Sequence, residues 1–359
     1  MSRVVIAAGG TGGHVFPALA VAAELRARGV EVHFLGTASG LEARAVPAAG
    51  FPLETLSMRG LRGGGWRRWA ALPGALGRAV WAARGVLRRL RPTAVLAMGG
   101  YVAVPAGLAA RLGGTRLVLH EQNAVPGLAI RALRRLAAVV LTGFPEAAEA
   151  LGARARWAGI PVRAELLALP GPAERYAQRE GPLRVLVFGG SQGARFLNQR
   201  VPAWLAGSGR PVRVRHQAGE RDLEAVRAAY EAQAIEAHVT PFIDDMADAY
   251  AWADLVVCRA GAATVAELAA VGVPAVLVPY PYAVDDHQRR NAEALVSRGA
   301  ALCVPQAEWD DADLAARLTG DLGERARLAE MGAAARAFAR PDAAAAVADA
   351  CLGELAHAA

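Results

Sequence analysis

Lysine is missing from this chain of 359 residues: all 40 basic side chains are arginine. A lysine Schiff base, a P-loop lysine and a kinase-type lysine are excluded outright. Arginine still supplies bidentate phosphate contacts. Cysteine is scarce. Cys258, Cys303 and Cys351 lie far apart, with no CxxC and no Cys/His cluster. Neither a disulfide framework nor a structural zinc site is expected, and the sparse, odd count suits a reducing cytosol. Long apolar runs are lacking too. The run Val4–Ala8 behind Arg3 breaks off in a glycine-rich turn that no signal-peptide core would tolerate. The longest uncharged window away from the N-terminus, residues 92–110, contains Gly99, Gly100 and Pro105. It reads as strand, loop and helix, not as a membrane span. A soluble protein is expected.

Acid is missing locally. From Thr55 to His120 there is no Asp or Glu, but 11 Arg. Residues 1–160 hold 20 Arg and 7 Glu, a charge of +13, whereas residues 161–359 hold 20 Arg and 26 acids, a charge of −6. The acid-free stretch suits an anionic surface, lipid headgroups or nucleic acid; the plainer alternative is the arginine-rich surface common in thermophilic or GC-rich genomes. Within it Trp66, Trp69, Pro73, Leu76, Val80, Ala83, Leu87 and Leu90 recur at helical spacing. Pro73 is expected to split off a short lead-in. Trp81 falls off that stripe and lands beside Arg78, Arg84 and Arg88. An indole among arginines fits a membrane interface, and a Trp packed on arginine stems is the alternative.

What is present argues for two domains. A hydrophobic content of 54 % over 359 residues can fill two cores of about 150 residues each. Short apolar runs at 4–8, 32–36, 52–56, 94–98, 116–119 and 138–142 alternate with helical segments. After a proline-bearing linker over 160–182, further runs follow at 183–188, 212–217, 236–239, 255–258 and 275–278. Continuous apolar strands separated by helices imply parallel sheets covered on both faces. The glycine turns at residues 9–14 and 189–194 each join a strand to a helix, half a chain apart. Two similar doubly wound domains are expected, 1–160 and 161–340, with a last helix after Pro341.

Glycine turns at helix N-termini bind anions through close backbone approach and free N–H groups. GGTGGH is out of register with the dinucleotide fingerprint, since Val15 stands where a glycine is needed, and no acid closes the second strand near residue 35. A nicotinamide enzyme is therefore disfavoured. His14 lies in the ligand crevice as a candidate base or as a helix-capping residue. His120-Glu121-Gln122-Asn123 after an apolar strand suits a hydroxyl-rich ligand, or a capped polar loop. Thr264 and Glu267 suit phosphate and ribose, or form a capping box. Asp285 and Asp286 precede Gln288 as caps or as a metal pair lacking a third ligand.

Taken together, GGTGGH at 9–14, GGY at 99–101, HEQN at 120–123, PVR at 161–163, GGSQGA at 189–194, PFIDDM at 241–246, RAGAATVAE at 259–267 and DHQRRNA at 286–292 follow one order. In that order the chain resembles the MurG family, the N-acetylglucosaminyltransferases of peptidoglycan synthesis. The resemblance implies a GT-B fold, two Rossmann-like domains facing across a cleft. It implies inverting transfer of GlcNAc from UDP-GlcNAc to the MurNAc C4 hydroxyl of undecaprenyl-linked lipid I, at the cytoplasmic face of the membrane. No cofactor and no metal are implied; cell-wall synthesis and division proteins are implied as partners.

By the same resemblance the C-terminal domain holds the donor. Ile243 would meet uracil, Glu267 the ribose, and Ser191, Arg163 and Thr264, within Ala262, Ala263, Val265 and Ala266, the diphosphate region. Gln288 and Asn123 would meet the GlcNAc. Thr11, Gly12 and Gly13 would lie near the acceptor diphosphate. His14 is the first choice of base and Glu121 the second. Ile160 departs from the family's usual Asn before PVR. Trp66, Trp69, Arg78, Trp81, Arg84 and Arg88 match the family's membrane-docking surface in placement. The competing readings are another UDP-sugar transferase or an epimerase, and a basic nucleic-acid-binding protein. HEQN with GGSQGA argues against the first. The 6 % aromatic content and the absence of a nucleic-acid motif argue against the second.

Overall fold

The computed structural model describes residues 2–57, 66–177, 179–190, 194–310 and 313–354, with backbone alone over 66–73. The chain divides into two units, Met1–Arg163 with Arg340–Ala359, and Ala164–Ala339. The sequence places these junctions at 160/161 and 340/341.

In the N-terminal unit the described residues form one parallel sheet. Its strands are β1 (Arg3–Ala7), β2 (Glu31–Gly36), β3 (Leu53–Thr55), β4 (Ala94–Ala97), β5 (Arg116–Glu121), β6 (Val139–Thr142) and β7 (Ala155–Trp157). Their order is β3-β2-β1-β4-β5-β6-β7. Side chains of a strand alternate between its two faces. Val4, Ile6 and Ala8 join Leu25, Phe34, Leu96 and Val347 on one face. Val5 and Ala7 join Leu87, Val95, Ala106 and Ile130 on the other. Both faces are dry, which is why the strands read as unbroken apolar runs. The strand order reverses between β1 and β4, and a crevice opens beyond the carboxyl ends of strands at such a switch point.

The C-terminal unit repeats the plan with β8 (Leu183–Phe188), β9 (Val212–Gln217), β10 (Glu236–Thr240), β11 (Leu255–Cys258), β12 (Ala275–Leu277) and β13 (Ala301–Cys303). The order is β10-β9-β8-β11-β12-β13, reversing between β8 and β11. Asp254 is fully buried just ahead of β11. It is paired with Arg179 and with Arg325 at 3.2 Å, and accepts the Arg184 N–H at 3.0 Å. A buried carboxylate is tolerated only when so surrounded.

The structure departs from the sequence reading in four places. β7 and β13 were not anticipated: they are three-residue edge strands, too brief to leave an apolar run. The helix Trp66–Leu90 runs through Pro73 without a split. A proline near the start of a long helix removes one backbone bond, and the packed stripe Ala79, Ala83, Leu87 and Leu90 remains to hold it. The linker over 160–182 contains short helices at Ala164–Leu167 and Pro172–Ala177. His120 and Glu121 belong to β5 itself, not to the loop after it.

The turns after β1 and β4 approach closely. A Cβ on Gly100, whose φ is +75°, would lie 2.3 Å from the Gly9 carbonyl oxygen. Gly77, in contrast, lies in the helix Trp66–Leu90 with nothing within 4 Å of an added Cβ. Gly100→Ala should cost about 2–4 kcal/mol, from left-handed backbone plus displacement of the facing turn. Gly77→Ala should gain up to about 1 kcal/mol. Urea unfolding of the two variants beside the parent checks this; equal midpoints would contradict the contact.

Candidate active site

Helix Gly12–Ala27 starts directly after the β1 turn, with Thr11 as its N-cap and no acid in its first turn. The first intrahelical bonds run from His14 and Val15 N–H to the Thr11 carbonyl, at 3.1 and 3.2 Å. The N–H groups of Gly12 and Gly13 precede them and are oriented for an anion. Arg163 lies over Phe16 of the same helix, its guanidinium carbon 5.5 Å from the ring centre. Ile160 is buried against Gly143.

His14 is half-buried and packs face-on against the β4 turn. A Cβ on Gly99 would meet the imidazole Cε1 at 2.8 Å, and glycine is the residue that leaves room there. His14 Nδ1 is 2.9 Å from Gln122 Oε1. Gln122 Nε2 is 3.2 Å from both His120 Nδ1 and the His120 carbonyl. His120 Nε2 is 2.8 Å from the Gly159 carbonyl. Burial pushes the His120 imidazole down to about 4.

Glu121 is engaged by the loop that follows it. It is 3 % exposed. Its carboxylate accepts the Asn123 N–H at 2.9 Å, the Asn123 amide at 3.3 Å and the Gly127 N–H at 2.8 Å. It braces the loop over 122–127, and Asn123 is held by the same carboxylate. In this structure the second-choice base acts as a loop brace.

Glu42 was missed by the sequence reading. This carboxylate is fully buried and accepts from Gly10 N–H at 3.0 Å, Thr37 N–H at 3.0 Å and the Thr37 hydroxyl at 2.6 Å. Burial raises its pKa, but those donors outweigh burial and hold it below the ordinary carboxylate value. Residue 35 carries no acid, yet Glu42 folds back to the end of β2 and pins the first glycine turn. Glycines at 36 and 40, each of which an added Cβ would drive into Glu42, are the signal that could have exposed it.

In the C-terminal unit the helix Ala262–Val271 starts after Gly261, its N-cap, without a side-chain cap bond. Thr264 is therefore inside the helix, and the capping-box alternative falls. Val265 N–H makes the first intrahelical bond, to Gly261 at 2.9 Å. The N–H groups of Ala262, Ala263 and Thr264 precede it as anion donors. Ala266 and Glu267 lie one turn on, and Glu267 accepts the hydroxyl of the buried Tyr250 at 3.0 Å. Four bonds tie the surrounding loops: Arg259 to the Val278 and Pro279 carbonyls at 3.0 and 3.1 Å, Tyr280 N–H to Gln288 Oε1 at 2.9 Å, and Asn291 to the Ala260 carbonyl at 3.2 Å. Asp285 and Asp286 make no cap bond and have φ of 53° and 50°. Ile243 is half-buried beside a groove of 640 Å³ lined also by Thr240, Phe242, Asp248 and Trp252. Ser191 lies outside the described residues. Among those described, no three His, Cys, Asp or Glu side chains gather as metal ligands would.

On the outer helices of the N-terminal unit Trp81 is 73 % exposed, with Arg78 and Arg88 exposed and Arg84 half-buried nearby. The side chains of Trp66 and Trp69 lie outside the described residues. Leu112 and Leu128 are also exposed, on helices that pack on the same sheet face. Among the described residues no helix is long and apolar enough to cross a membrane.

Residues 4–142 match the glycosyltransferase family 28 N-terminal domain, and residues 184–347 the family 28 C-terminal domain. A UDP-N-acetylglucosamine–N-acetylmuramyl-(pentapeptide) pyrophosphoryl-undecaprenol N-acetylglucosamine transferase of Halorhodospira halophila is 58 % identical, over 99 % of this chain and 98 % of its own. The crystal structure of Acinetobacter baumannii MurG superposes with a TM-score of 0.83 at 39 % identity, covering 98 % of this chain and 100 % of that one. A UDP-GlcNAc 2-epimerase from Neisseria meningitidis superposes at 0.67 with 11 % identity, covering 98 % and 100 %, a likeness of fold alone. With its two parallel-sheet α/β domains of the GT-B class, the chain belongs to glycosyltransferase family 28 and, within it, to the MurG family.

Proposed function

We propose that this chain transfers GlcNAc from UDP-GlcNAc to the MurNAc C4 hydroxyl of lipid I, giving lipid II for peptidoglycan. Near-full-length similarity to a transferase named for these substrates carries the reading. In a single displacement, His14 Nε2 takes the C4 hydroxyl proton as that oxygen attacks the anomeric carbon. The bond from that carbon to the diphosphate breaks, and UDP leaves with the electron pair. The first-turn N–H groups of Ala262–Thr264 stabilise the growing negative charge, with Arg163 assigned to the same diphosphate. Glu267 takes the ribose, Ile243 the uracil, and Gln288 and Asn123 the sugar. The Gly12 and Gly13 N–H groups take the acceptor diphosphate. Acceptor-dependent UDP release, with a β-1,4-linked disaccharide product, is the expected outcome with a lipid I analogue in detergent. UDP-GlcNAc binding without acceptor-dependent release would return the acceptor to another transferase or to an epimerase.

The protein works from the cytoplasmic face of the membrane as a peripheral enzyme. Support comes from Trp81, Leu112 and Leu128 standing exposed on one side of the N-terminal unit, in and beside a stretch without acid from 55 to 120. Arginines attract anionic headgroups while an indole settles at their level. Trp81→Ala with Arg84→Glu should weaken sedimentation with phosphatidylglycerol vesicles by roughly tenfold at low salt. Unchanged binding would remove this surface from the account.

A further inference from the structure

We propose that Gln122 and His120 are positioning residues that lock His14 in its Nδ1–H tautomer and so leave Nε2 as the proton acceptor. The proposal rests on His14 being the base. The bonds begin at a group that can only accept, the Gly159 carbonyl. His120 Nε2, 2.8 Å away, must therefore carry a hydrogen. His120 is fully buried and remains neutral, its imidazole pushed down to about 4 by desolvation. A neutral ring with hydrogen on Nε2 has a bare Nδ1.

That bare nitrogen fixes the next residue. Gln122 approaches it at 3.2 Å and the His120 carbonyl at 3.2 Å, both with the same terminal atom. Two acceptors on one side require the amide NH₂ there. The reversed amide would set an oxygen against a lone pair and a carbonyl. Gln122 Oε1 is thereby turned to His14 Nδ1, at 2.9 Å, where it can only accept. His14 Nδ1 donates, and in the neutral ring Nε2 holds the lone pair. Among the described residues nothing is bonded to that nitrogen.

The ring has little room to answer otherwise. The ring occupies the space a Cβ on Gly99 would need, 2.8 Å from Cε1 and 3.0 Å from Nδ1, so the β4 turn crowds it on that side. The far end of the chain of bonds is anchored as well. Gly159 has a φ of +85°, and a Cβ there would come 2.3 Å from Arg340 Cβ. Arg340 itself stacks 3.8 Å from the Trp157 ring centre, and Trp157 Nε1 donates to the Gly143 carbonyl at 3.1 Å. A neutral amide sets the tautomer without placing another negative charge where the acceptor diphosphate is proposed to bind. A carboxylate partner would add one.

The test is a long-range proton–nitrogen correlation spectrum of protein labelled in histidine, at a pH where the rings are neutral. His14 is assigned by the signal lost in His14→Ala. The expected spectrum shows His14 protonated on Nδ1 and His120 on Nε2. In Gln122→Met, His14 should move toward the other tautomer. Its kcat should fall roughly 100-fold, with KM for UDP-GlcNAc within about twofold, since a lost proton acceptor leaves donor binding intact. His14 protonated on Nε2 in the parent protein would overturn the proposal, even if Gln122→Met fails to fold. So would a Gln122→Met enzyme with unchanged tautomer and unchanged kcat. Near-normal turnover of His14→Ala beside a parent spectrum of the expected kind would instead sink His14 as base while supporting the lock.

Discussion

Two glycine turns touch at the switch point of the N-terminal sheet, and the position of His14 follows from that contact. The absence of a side chain at Gly100 lets the β4 turn rest on the Gly9 carbonyl, and its absence at Gly99 lets the imidazole lie flat on that turn. A methyl group at either site would push the turns apart or push the ring out. Glu42 holds the first turn from beneath through Gly10 N–H, and Gln122 holds the ring from the side. Catalytic geometry must be kept to a fraction of an ångström. The His14 ring is held by backbone approach and short bonds at the ends of strands, as the proposed role would require.

The C-terminal unit solves a related problem with different parts. Its helix Ala262–Val271 presents backbone N–H groups in the first turn and no capping side chain that would compete for them. The loops around it are tied by Arg259, Gln288 and Asn291. Donors fixed in advance need no reorganisation when charge develops on a leaving diphosphate. Lysine plays no part in this chain, and each anion contact proposed here is made by backbone or by arginine. The epimerase of similar fold makes the complementary point, because the frame alone does not select the chemistry.

Much of the frame was legible because buried parallel strands must be apolar throughout. Val4–Ala8 and Leu183–Phe188 announce themselves in this way, and the glycines after them mark the turns. The brief edge strands Ala155–Trp157 and Ala301–Cys303 were illegible for the opposite reason: an edge needs only one partner and few apolar residues. Within the candidate site, residue type located the polar HEQN group but not its division of labour. Glu121 and Gln122 are neighbours in β5 and the loop after it, and only coordinates reveal that one braces a loop while the other faces His14. Glu42 was hidden because two of its three donors, the Gly10 and Thr37 N–H groups, are backbone groups that sequence does not display.

The measurement that bears most directly on His14 as the base is chemical rescue of His14→Gly in the acceptor-dependent UDP-release assay. Removing the imidazole should cut turnover by about 10²–10⁴. Added imidazole should restore part of it in proportion to its concentration, with UDP-GlcNAc affinity unchanged throughout. Turnover close to that of the parent enzyme without any added imidazole would contradict the account, because the proton would then have another acceptor.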